Sequence, residues 1–248
     1  MRKNLLLLVF TGALALTFSC KPKTAQQENA VTTDTLNVLT PQEIADGWQL
    51  LWDGKTFNGW HTFNKDSVIG WEIKDGLLIS LGQGGDYAND IVTNKEYTNF
   101  ELSVDWKLSP GGNSGLFYYA VEGKHPQIYA MAPEYQLIDD IGFPEKIEDW
   151  QKTAACYGMY TADSTKKVLK PIGEFNNSKI IVNNAHVQHW LNGAMVVEYD
   201  LWSDDWNKRL KDGKWKDFPD FGTAKTGKIG IQDHGQSNSF RNIKIKVL

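Results

Sequence analysis

Apolar and polar residues alternate with a period of two in short runs from residue 46 to the C-terminus. Such runs occupy residues 48–52, 70–74, 77–79, 100–108, 115–119, 135–138, 178–182, 186–191, 194–199, 228–232 and 243–247. This alternation is typical of half-buried β-strands, and helical periodicity is hard to find. Turn residues separate several runs, at Asp75-Gly76, Gly111-Gly112-Asn113 and Asn192-Gly193. About ten short strands in roughly 200 residues predict an all-β fold, a sandwich or jelly roll.

The remaining segments suggest how the ends and the longest connection are arranged. Residues 48–52 and 242–248 both have strand patterns, and jelly rolls commonly pair their terminal strands, so we expect them in one sheet. Residues 41–46 begin with Pro and follow Thr40, which predicts one helical turn with Thr40 as its N-cap. Residues 199–221 have no clear period, and a loop of that length usually carries function or covers a site.

The N-terminus has the pattern of an export signal. Arg2 and Lys3 precede an uncharged, mostly apolar run over residues 5–18, too short for a membrane span. Ser19-Cys20 then resembles the cleavage site of a bacterial lipoprotein, although Phe18 departs from the usual small residue. We therefore expect a signal peptide over residues 1–19, lipidation of Cys20, a flexible tether over 20–45 and one domain over 46–248. The alternative is an ordinary signal peptide and a soluble exported protein.

Composition narrows the class of partner. The chain of 248 residues has a formal charge of −4, so it offers no basic face for nucleic acid. Its 10 Trp, 9 Tyr and 11 Phe suit either a sandwich core or a platform for sugar rings. If Cys20 is lipidated, Cys156 has no cysteine partner in the chain, and its small neighbours predict a packed thiol, not a nucleophile.

The strongest candidate site is a strand that carries polar residues among apolar ones, residues 134–140. Strict alternation places Glu134, Gln136 and Asp140 on one face, whereas a bulge after Gln136 would bring Asp139 round instead. Either arrangement brings carboxylates and an amide together, as acid–base chemistry on a sugar requires. The alternative is an exposed sheet face without function.

Three further segments carry candidate polar groups. In residues 228–235, Gln232 and His234 face away from the core, and His234 suits a base, a metal ligand or a solvated strand end. His189 alternates with apolar neighbours, so it is either a core residue or a functional one. Asn113 and Ser114 lie between glycines, where they either form a hairpin bend or present polar groups to a ligand.

Six ordered segments, residues 51–60, 113–117, 134–140, 189–193, 230–235 and 240–243, resemble the family of 3-keto-disaccharide hydrolases. The resemblance spans about 200 residues. It implies a concanavalin-like jelly roll with a ligand site on the concave sheet, in an exported glycan-processing enzyme that is often a lipoprotein of Bacteroidetes-type bacteria. This chain departs from many relatives at Tyr119, which stands near the place of an Arg, so a substrate contact by that Arg is in doubt here.

A 3-keto sugar allows elimination, because its carbonyl acidifies the hydrogen on carbon 2. Such a reaction needs a base, an enolate stabiliser and an acid for the leaving oxygen. We assign Glu134 or His234 as base and Asp139 as acid or metal ligand. Enolate stabilisation is assigned to Gln136, Asn113 and a possible divalent cation, whose candidate ligands are Glu134, Asp139 and His234. Substrate contacts are predicted for Asn113, Ser114, Tyr118, Gln136, Gln232, His189 and Arg241.

Other functions remain open on the sequence alone. Ordinary hydrolysis by two carboxylates fits the same residues. A non-catalytic carbohydrate-binding lipoprotein would use aromatic platforms such as Trp202, Trp206 and Trp215. An interaction domain in a larger envelope assembly is a third possibility. In each case we expect a protein of the cell envelope, lipid-anchored at Cys20, on the periplasmic side or the outer-membrane surface, and the sequence does not indicate an oligomeric state.

Overall fold

Two antiparallel sheets form the described part of this protein, residues 36–83 and 89–248 of a computed structural model. The strands are β1 Trp48–Leu50, β2 Trp60–Thr62, β3 Trp71–Lys74, β4 Leu77–Ser80, β5 Ile91–Tyr97, β6 Phe100–Lys107, β7 Asn113–Ala120, β8 Glu134–Ile138, β9 Asn176–Asn183, β10 His186–Leu191, β11 Ala194–Asp200, β12 Gly227–Ile231 and β13 Ser239–Val247. The α-helices are α1 Pro41–Ala45 and α2 Asp204–Asp212, and 3₁₀ helices span Ile128–Ala130 and Asp149–Gln151. The predicted all-β sandwich is confirmed.

The larger sheet has eight strands and the smaller has five. The eight-stranded sheet runs in the order β11-β10-β9-β6-β13-β4-β3, with β1 also paired to β13. The five-stranded sheet runs in the order β2-β5-β12-β7-β8. Residues of both sheets form one buried apolar cluster, the main core, which includes Leu102, Ile180, Leu116, Leu137 and Ile231. The main core therefore lies between the two sheets.

A second, smaller apolar cluster identifies the other face of the five-stranded sheet. It contains Val92 of β5 and Phe117 of β7, together with Phe63, Met131 and other residues from the adjoining segments. Because successive side chains of a strand point to opposite faces, residues flanking a main-core position belong to this second face. We call it the outer face of the five-stranded sheet.

The first and the last of the described strands pair, as expected. Strand β1 pairs with β13, with Trp48 opposite Lys246. Thr40 caps α1 through a capping box with Glu43, as predicted. Residues 36–45, however, are not a free tether, because the backbone N–H and side-chain oxygen of Asn37 each bond Asn242. The rest of the predicted tether and the signal peptide lie outside the described residues.

Three elements were missed in the sequence. Residues 204–212, predicted as loop, form α2, whose N-cap Ser203 accepts a hydrogen bond from the N–H of Trp206. Strand β2 has only three residues, too few to show a pattern, and β5 lacks alternation, because its first three residues are buried and the next three are exposed. No helix among residues 36–83 and 89–248 is long and apolar enough to cross a membrane.

Candidate active site on the outer face of the five-stranded sheet

Strand β8 brings Glu134 and Gln136 to the outer face. Tyr135 and Leu137 pack in the main core, so their neighbours point the opposite way. The β7–β8 register is regular, with Gly115 opposite Gln136 and Phe117 opposite Glu134, so the bulge considered above is absent from this pair. The Glu134 carboxyl group lies directly over Gly115, in the space that a side chain there would fill. Glu134 is only 4% exposed.

Two more strands of the same sheet contribute polar groups. Gln232 directly follows β12 and its N–H bonds the Gly115 carbonyl at 2.9 Å. Asp90 directly precedes β5, and its Oδ1 accepts a hydrogen bond of 3.0 Å from the N–H of Asp233. The side chains of Asp90 and Gln232 point to the outer face, because their neighbours Ile91 and Ile231 lie in the main core and successive side chains point to opposite faces. Asp90, Gln232, Gly115 and Gln136 therefore form a row across four strands.

Burial and local charges alter the acidity of this site. Burial, together with the negative charge of Asp90, raises the pKa of Glu134 to about 8, and the positive charge of Lys214 opposes the rise. Burial also raises the pKa of Asp90 to about 8, against the hydrogen bond donated by the Asp233 N–H. A carboxyl group with a pKa in this range is an effective proton acceptor near neutral pH.

Several buried oxygens in this region have no hydrogen-bond partner in the described part of the chain. They are Oε1 of Gln136, Oε1 of Gln232 and Oδ1 of Asn113. All three residues are less than a tenth exposed. An unpaired buried polar atom costs free energy, so three on one face indicate groups arranged for a polar ligand. Asn113 and Gln232 thus lie on the same face of the sheet as Glu134 and Gln136.

Lys214, in the segment that follows α2, is near enough to Glu134 for its positive charge to act on that carboxyl group. Its ammonium group lies 4.7 Å from the ring centre of Tyr157 and 5.2 Å from that of Trp215. The backbone N–H of Tyr157 in turn bonds the Glu134 carbonyl. Lys214 and Asp90 are the charged neighbours of Glu134 that the sequence analysis missed. Asp90 could have been found only by identifying β5, and nothing in the sequence indicates the position of Lys214.

Asp139 and Asp140 lie beyond the end of β8, in contacts that stabilise loops. The Asp139 carboxylate accepts hydrogen bonds from the N–H groups of Gly111 and Gly142, at 3.0 and 2.8 Å. Although burial opposes the effect, these backbone donors lower the pKa of Asp139. Asp140 pairs with Lys167 at 2.5 Å. An ionised, backbone-bonded Asp139 is poorly suited to the acid role predicted for it.

Three predicted substrate contacts point into the sandwich. The Ser114 hydroxyl donates to the Gln232 carbonyl at 2.7 Å. The Tyr118 hydroxyl bonds that of Tyr199 on the opposite sheet. His189 is fully buried, and its Nδ1 lies 3.0 Å from the Ala154 carbonyl. Burial lowers the pKa of His189 to about 4, although this hydrogen bond opposes the shift. The structure thus assigns these side chains to the core, where a substrate on the outer face does not meet them.

Arg241 is also separated from the candidate site. It lies on β13 of the eight-stranded sheet, where its guanidinium group stacks 3.8 Å from the ring centre of Phe175. Its Nε lies 3.6 Å from the Asp105 carboxylate. Neighbouring Phe240 packs in the main core, so Arg241 points away from the five-stranded sheet. The structure therefore does not bring Arg241 to this site, where the sequence analysis expected it to contact the substrate.

His234 lies two residues beyond Gln232, half-buried, in the segment that connects β12 to β13. Its role as a base stays a prediction. Asp139 uses its carboxylate on backbone N–H groups, so it does not fit a cation site with Glu134 and His234. Within residues 36–83 and 89–248, no group of three or more His, Cys, Asp or Glu side chains could hold a metal ion.

The aromatic residues proposed as a sugar platform are largely buried. Trp206 and Trp215 are 0% and 2% exposed. Five aromatic rings form one continuous stack, in which each ring lies at an interplanar angle of 11–12° to the next. In order along the stack they are Tyr160, Tyr199, Trp206, Phe221 and Trp215. Trp202 is half-buried and stacks on Tyr119. The predicted platform is therefore part of the core instead.

A separate cavity of about 890 Å³ opens beside β2 and includes His61, Asn94 and Glu122 in its lining. Its polar groups bond one another: the His61 ring contacts Asn94 at 2.6 Å and Glu122 at 3.0 Å. The Glu122 carboxylate also accepts the N–H of Asn64. These groups have partners, unlike the amide oxygens near Glu134, which are the stronger indication of a site.

Comparison with known proteins gives the same family as the motifs. The family model of the 3-keto-alpha-glucoside-1,2-lyase-like domain matches residues 47–246. A 3-keto-disaccharide hydrolase of Bacteroides thetaiotaomicron is 38% identical over 232 residues, which cover 82% of this chain and 79% of that protein.

Solved structures support this relationship over nearly the whole domain. A candidate glycosyl hydrolase from Parabacteroides distasonis superposes with a TM-score of 0.81 at 43% identity, over 86% of this chain and 99% of that chain. A second from the same species has a TM-score of 0.59 at 30% identity, over 77% and 100% of the two chains. The resemblance found in the sequence is confirmed, and the chain belongs to the family of 3-keto-alpha-glucoside-1,2-lyase-like domains.

Proposed function

We propose that this protein cleaves the glycosidic bond of 3-keto-glycosides, such as 3-keto-disaccharides, by elimination followed by hydration. Membership of its family makes it a glycoside-cleaving enzyme. The observation that carries the finer proposal is the buried Glu134 carboxyl group beside the unpaired amide oxygens of Gln136 and Gln232. A sugar supplies the hydroxyl donors that these oxygens lack.

Glu134 is the base in this reaction. Its carboxylate removes the hydrogen from carbon 2, and the electron pair moves through the ketone to give an enolate. The amide groups of Gln136, Gln232 and Asn113 are placed to hydrogen-bond the sugar oxygens, including the enolate oxygen. When this electron pair moves back from the enolate oxygen, the bond from carbon 1 to the leaving oxygen breaks. Water then adds to the resulting enone. His234 is the alternative base.

The test compares a chromogenic 3-keto-glucoside with the unoxidised glucoside. We expect turnover of the keto compound alone, because only its carbon-2 hydrogen is acidic, and exchange of that hydrogen in deuterated water. Glu134→Gln should lower turnover by about 10²-fold or more. His234→Ala, measured alongside, decides between the two bases. Exposed Glu198, which pairs with His186, provides the control Glu198→Gln. An added chelator tests for a divalent cation.

Three outcomes would contradict the proposal. Equal cleavage of both glucosides would indicate ordinary two-carboxylate hydrolysis. Sugar binding without turnover of either compound would indicate a binding module. Full activity in both variants would mean that proton abstraction uses other residues.

A further inference from the structure

Asp90 and Glu134 come from distant parts of the chain to the same face of one sheet. Asp90 is 2% exposed and lies at the start of β5, whereas Glu134 lies on β8. Between them stand β12, which brings Gln232, and β7, which brings Gly115. Because Gly115 has no side chain, nothing from that position separates the two carboxyl groups. The described contacts of the Asp90 carboxylate do not include a positively charged partner.

The strands against which the two carboxyl groups lie give an approximate separation between them. The Glu134 carboxyl group lies over β7, and the Asp90 Oδ1 lies 3.0 Å from the Asp233 N–H at the end of β12. Neighbouring strands are ~4.8 Å apart, so one to two strand spacings give a separation of roughly 5–10 Å. A pyranose ring and its glycosidic oxygen span such a gap.

We propose that Asp90 is a second catalytic residue, which protonates the leaving oxygen while Glu134 removes the carbon-2 hydrogen. This inference rests on the proposed function. It gives the reaction the acid that Asp139 cannot supply, because both carboxylate oxygens of Asp139 accept backbone hydrogen bonds that favour its ionised form, whereas the described backbone contact of the Asp90 carboxyl group is made by Oδ1 alone.

The proton balance of such a pair closes over one catalytic cycle. At the start, Glu134 is ionised and Asp90 carries a proton. Glu134 takes the hydrogen of carbon 2 as a proton, the carbon 1–oxygen bond breaks with its electrons on oxygen, and that oxygen takes the Asp90 proton. Asp90 then accepts a proton from water as its oxygen adds to carbon 1, and Glu134 returns its proton to carbon 2. The products are the 3-keto sugar and the free alcohol, and both groups regain their starting states.

The surroundings favour a pair that shares one proton near pH 8. Burial raises the pKa of both carboxyl groups to about 8. Asp233 adds negative charge beside Asp90, and Lys214 adds positive charge near Glu134. His234 follows Asp233 in the chain, and the thiol of Cys156 lies behind Glu134. Two interacting carboxyl groups lose their protons in separate steps that belong to the pair.

The experiment measures Asp90→Asn and Glu134→Gln on two 3-keto-glucosides that differ in leaving group. A methyl glycoside releases an alkoxide that needs a proton, whereas a 4-nitrophenyl glycoside releases a stable phenolate. Asp90→Asn should lose about 10²-fold or more in kcat/KM on the methyl compound and less than about 10-fold on the nitrophenyl compound. Glu134→Gln should lose activity on both, since both need proton abstraction. Asp105→Asn, on the other sheet, is the matched control and should leave both rates unchanged.

A measurement on the unchanged protein gives the same information without a variant. Turnover of the methyl compound should decline above about pH 8 as the second proton is lost, and turnover of the nitrophenyl compound should not.

The outcomes separate the two proposals. Two results would overturn the acid role of Asp90 and leave the proposed function standing. One is an equal loss of activity on both substrates in Asp90→Asn, and the other is a decline in turnover at alkaline pH that is the same for both leaving groups. An unchanged protein inert on both 3-keto compounds would overturn the proposed function, and this inference with it.

Discussion

At the scale of single residues, the absence of a side chain at Gly115 makes room for the proposed base. A Cβ atom at this position would overlap the Glu134 carboxyl group. Gly115→Ala should therefore displace Glu134 and lower kcat/KM by about 10-fold or more, since small misplacements of a catalytic group are costly. The control is Gly193→Ala in the β10–β11 turn. The φ of Gly193 is 86°, and apart from its neighbours in the chain no atom of the described residues lies within 4 Å of the place that an added Cβ would take. Gly193→Ala should reduce stability but not turnover; equal turnover in both variants would contradict the placement of Glu134.

The same residues predict how stability depends on pH. A carboxyl group whose pKa is about 8 in the folded protein keeps a proton that the unfolded chain releases near pH 4. The folded state then binds more protons, so the free energy of unfolding falls as pH rises from about 4 to about 8. Urea denaturation of the structured domain at intervals across this range measures it. Glu134→Gln should flatten the decline relative to Glu72→Gln, which changes an exposed residue of β3, and an unchanged slope would contradict the raised pKa.

At the scale of elements, the sequence predicts those strands in which burial alternates. Strands β9 and β10 alternate strictly between buried and less buried residues, and both were predicted within a few residues. Strand β5 begins with three buried residues and continues with three exposed ones, so it has no period of two and was missed together with Asp90. Helix α2 fully buries only Trp206, and its apolar stripe is limited to Trp206 and the half-buried Leu210, too short to predict a helix. The polar residues of β8 were noticed because they interrupt an apolar run.

Long-range placement explains the remaining differences at the site. Alternation predicts that Gln136 and Gln232 leave the core but does not say which sheet each joins. Tyr118 and Arg241 fit the same alternating pattern, but Tyr118 points into the core and Arg241 lies on the opposite sheet. Which strands become neighbours depends on pairings such as β7 with β12, about a hundred residues apart in the sequence. Those pairings decide which predicted residues meet.

The stack of rings around α2 leads to a prediction about stability. Trp206 is fully buried between Tyr199 and Phe221. Trp206→Ala should therefore reduce the free energy of unfolding by about 3–5 kcal/mol. Half-buried Trp190, whose ring lies beneath Lys179, provides the comparison, and Trp190→Ala should cost less. Chemical denaturation measures both. A Trp206→Ala protein of normal stability but weakened sugar binding would restore the idea of an exposed platform.

At the scale of the whole molecule, we propose that the domain is held at the cell envelope by a lipid on Cys20. The charged start and the apolar run before Ser19-Cys20 motivate this. Mass spectrometry of the N-terminus should find an acylated Cys20, and Cys20→Ser should release the protein from the membrane fraction. The control Cys156→Ser changes a buried thiol and should leave the protein in that fraction. Cleavage elsewhere, or an unmodified Cys20, would contradict the anchor.

The position of β13 has a consequence for the order of events during synthesis. This strand contains residues 239–247, yet it lies inside the eight-stranded sheet, between β6 and β4, and also pairs with β1. A nascent chain that still lacks residues 239–247 has two separate half-sheets with unpaired edges, β11-β10-β9-β6 and β4-β3. Because β13 joins them and is the last of the described strands to be synthesised, the domain completes its fold only after β13 has left the ribosome. The export proposed above, in which the chain passes a membrane in extended form, gains time from this arrangement, since β13 is the strand that locks the sheet.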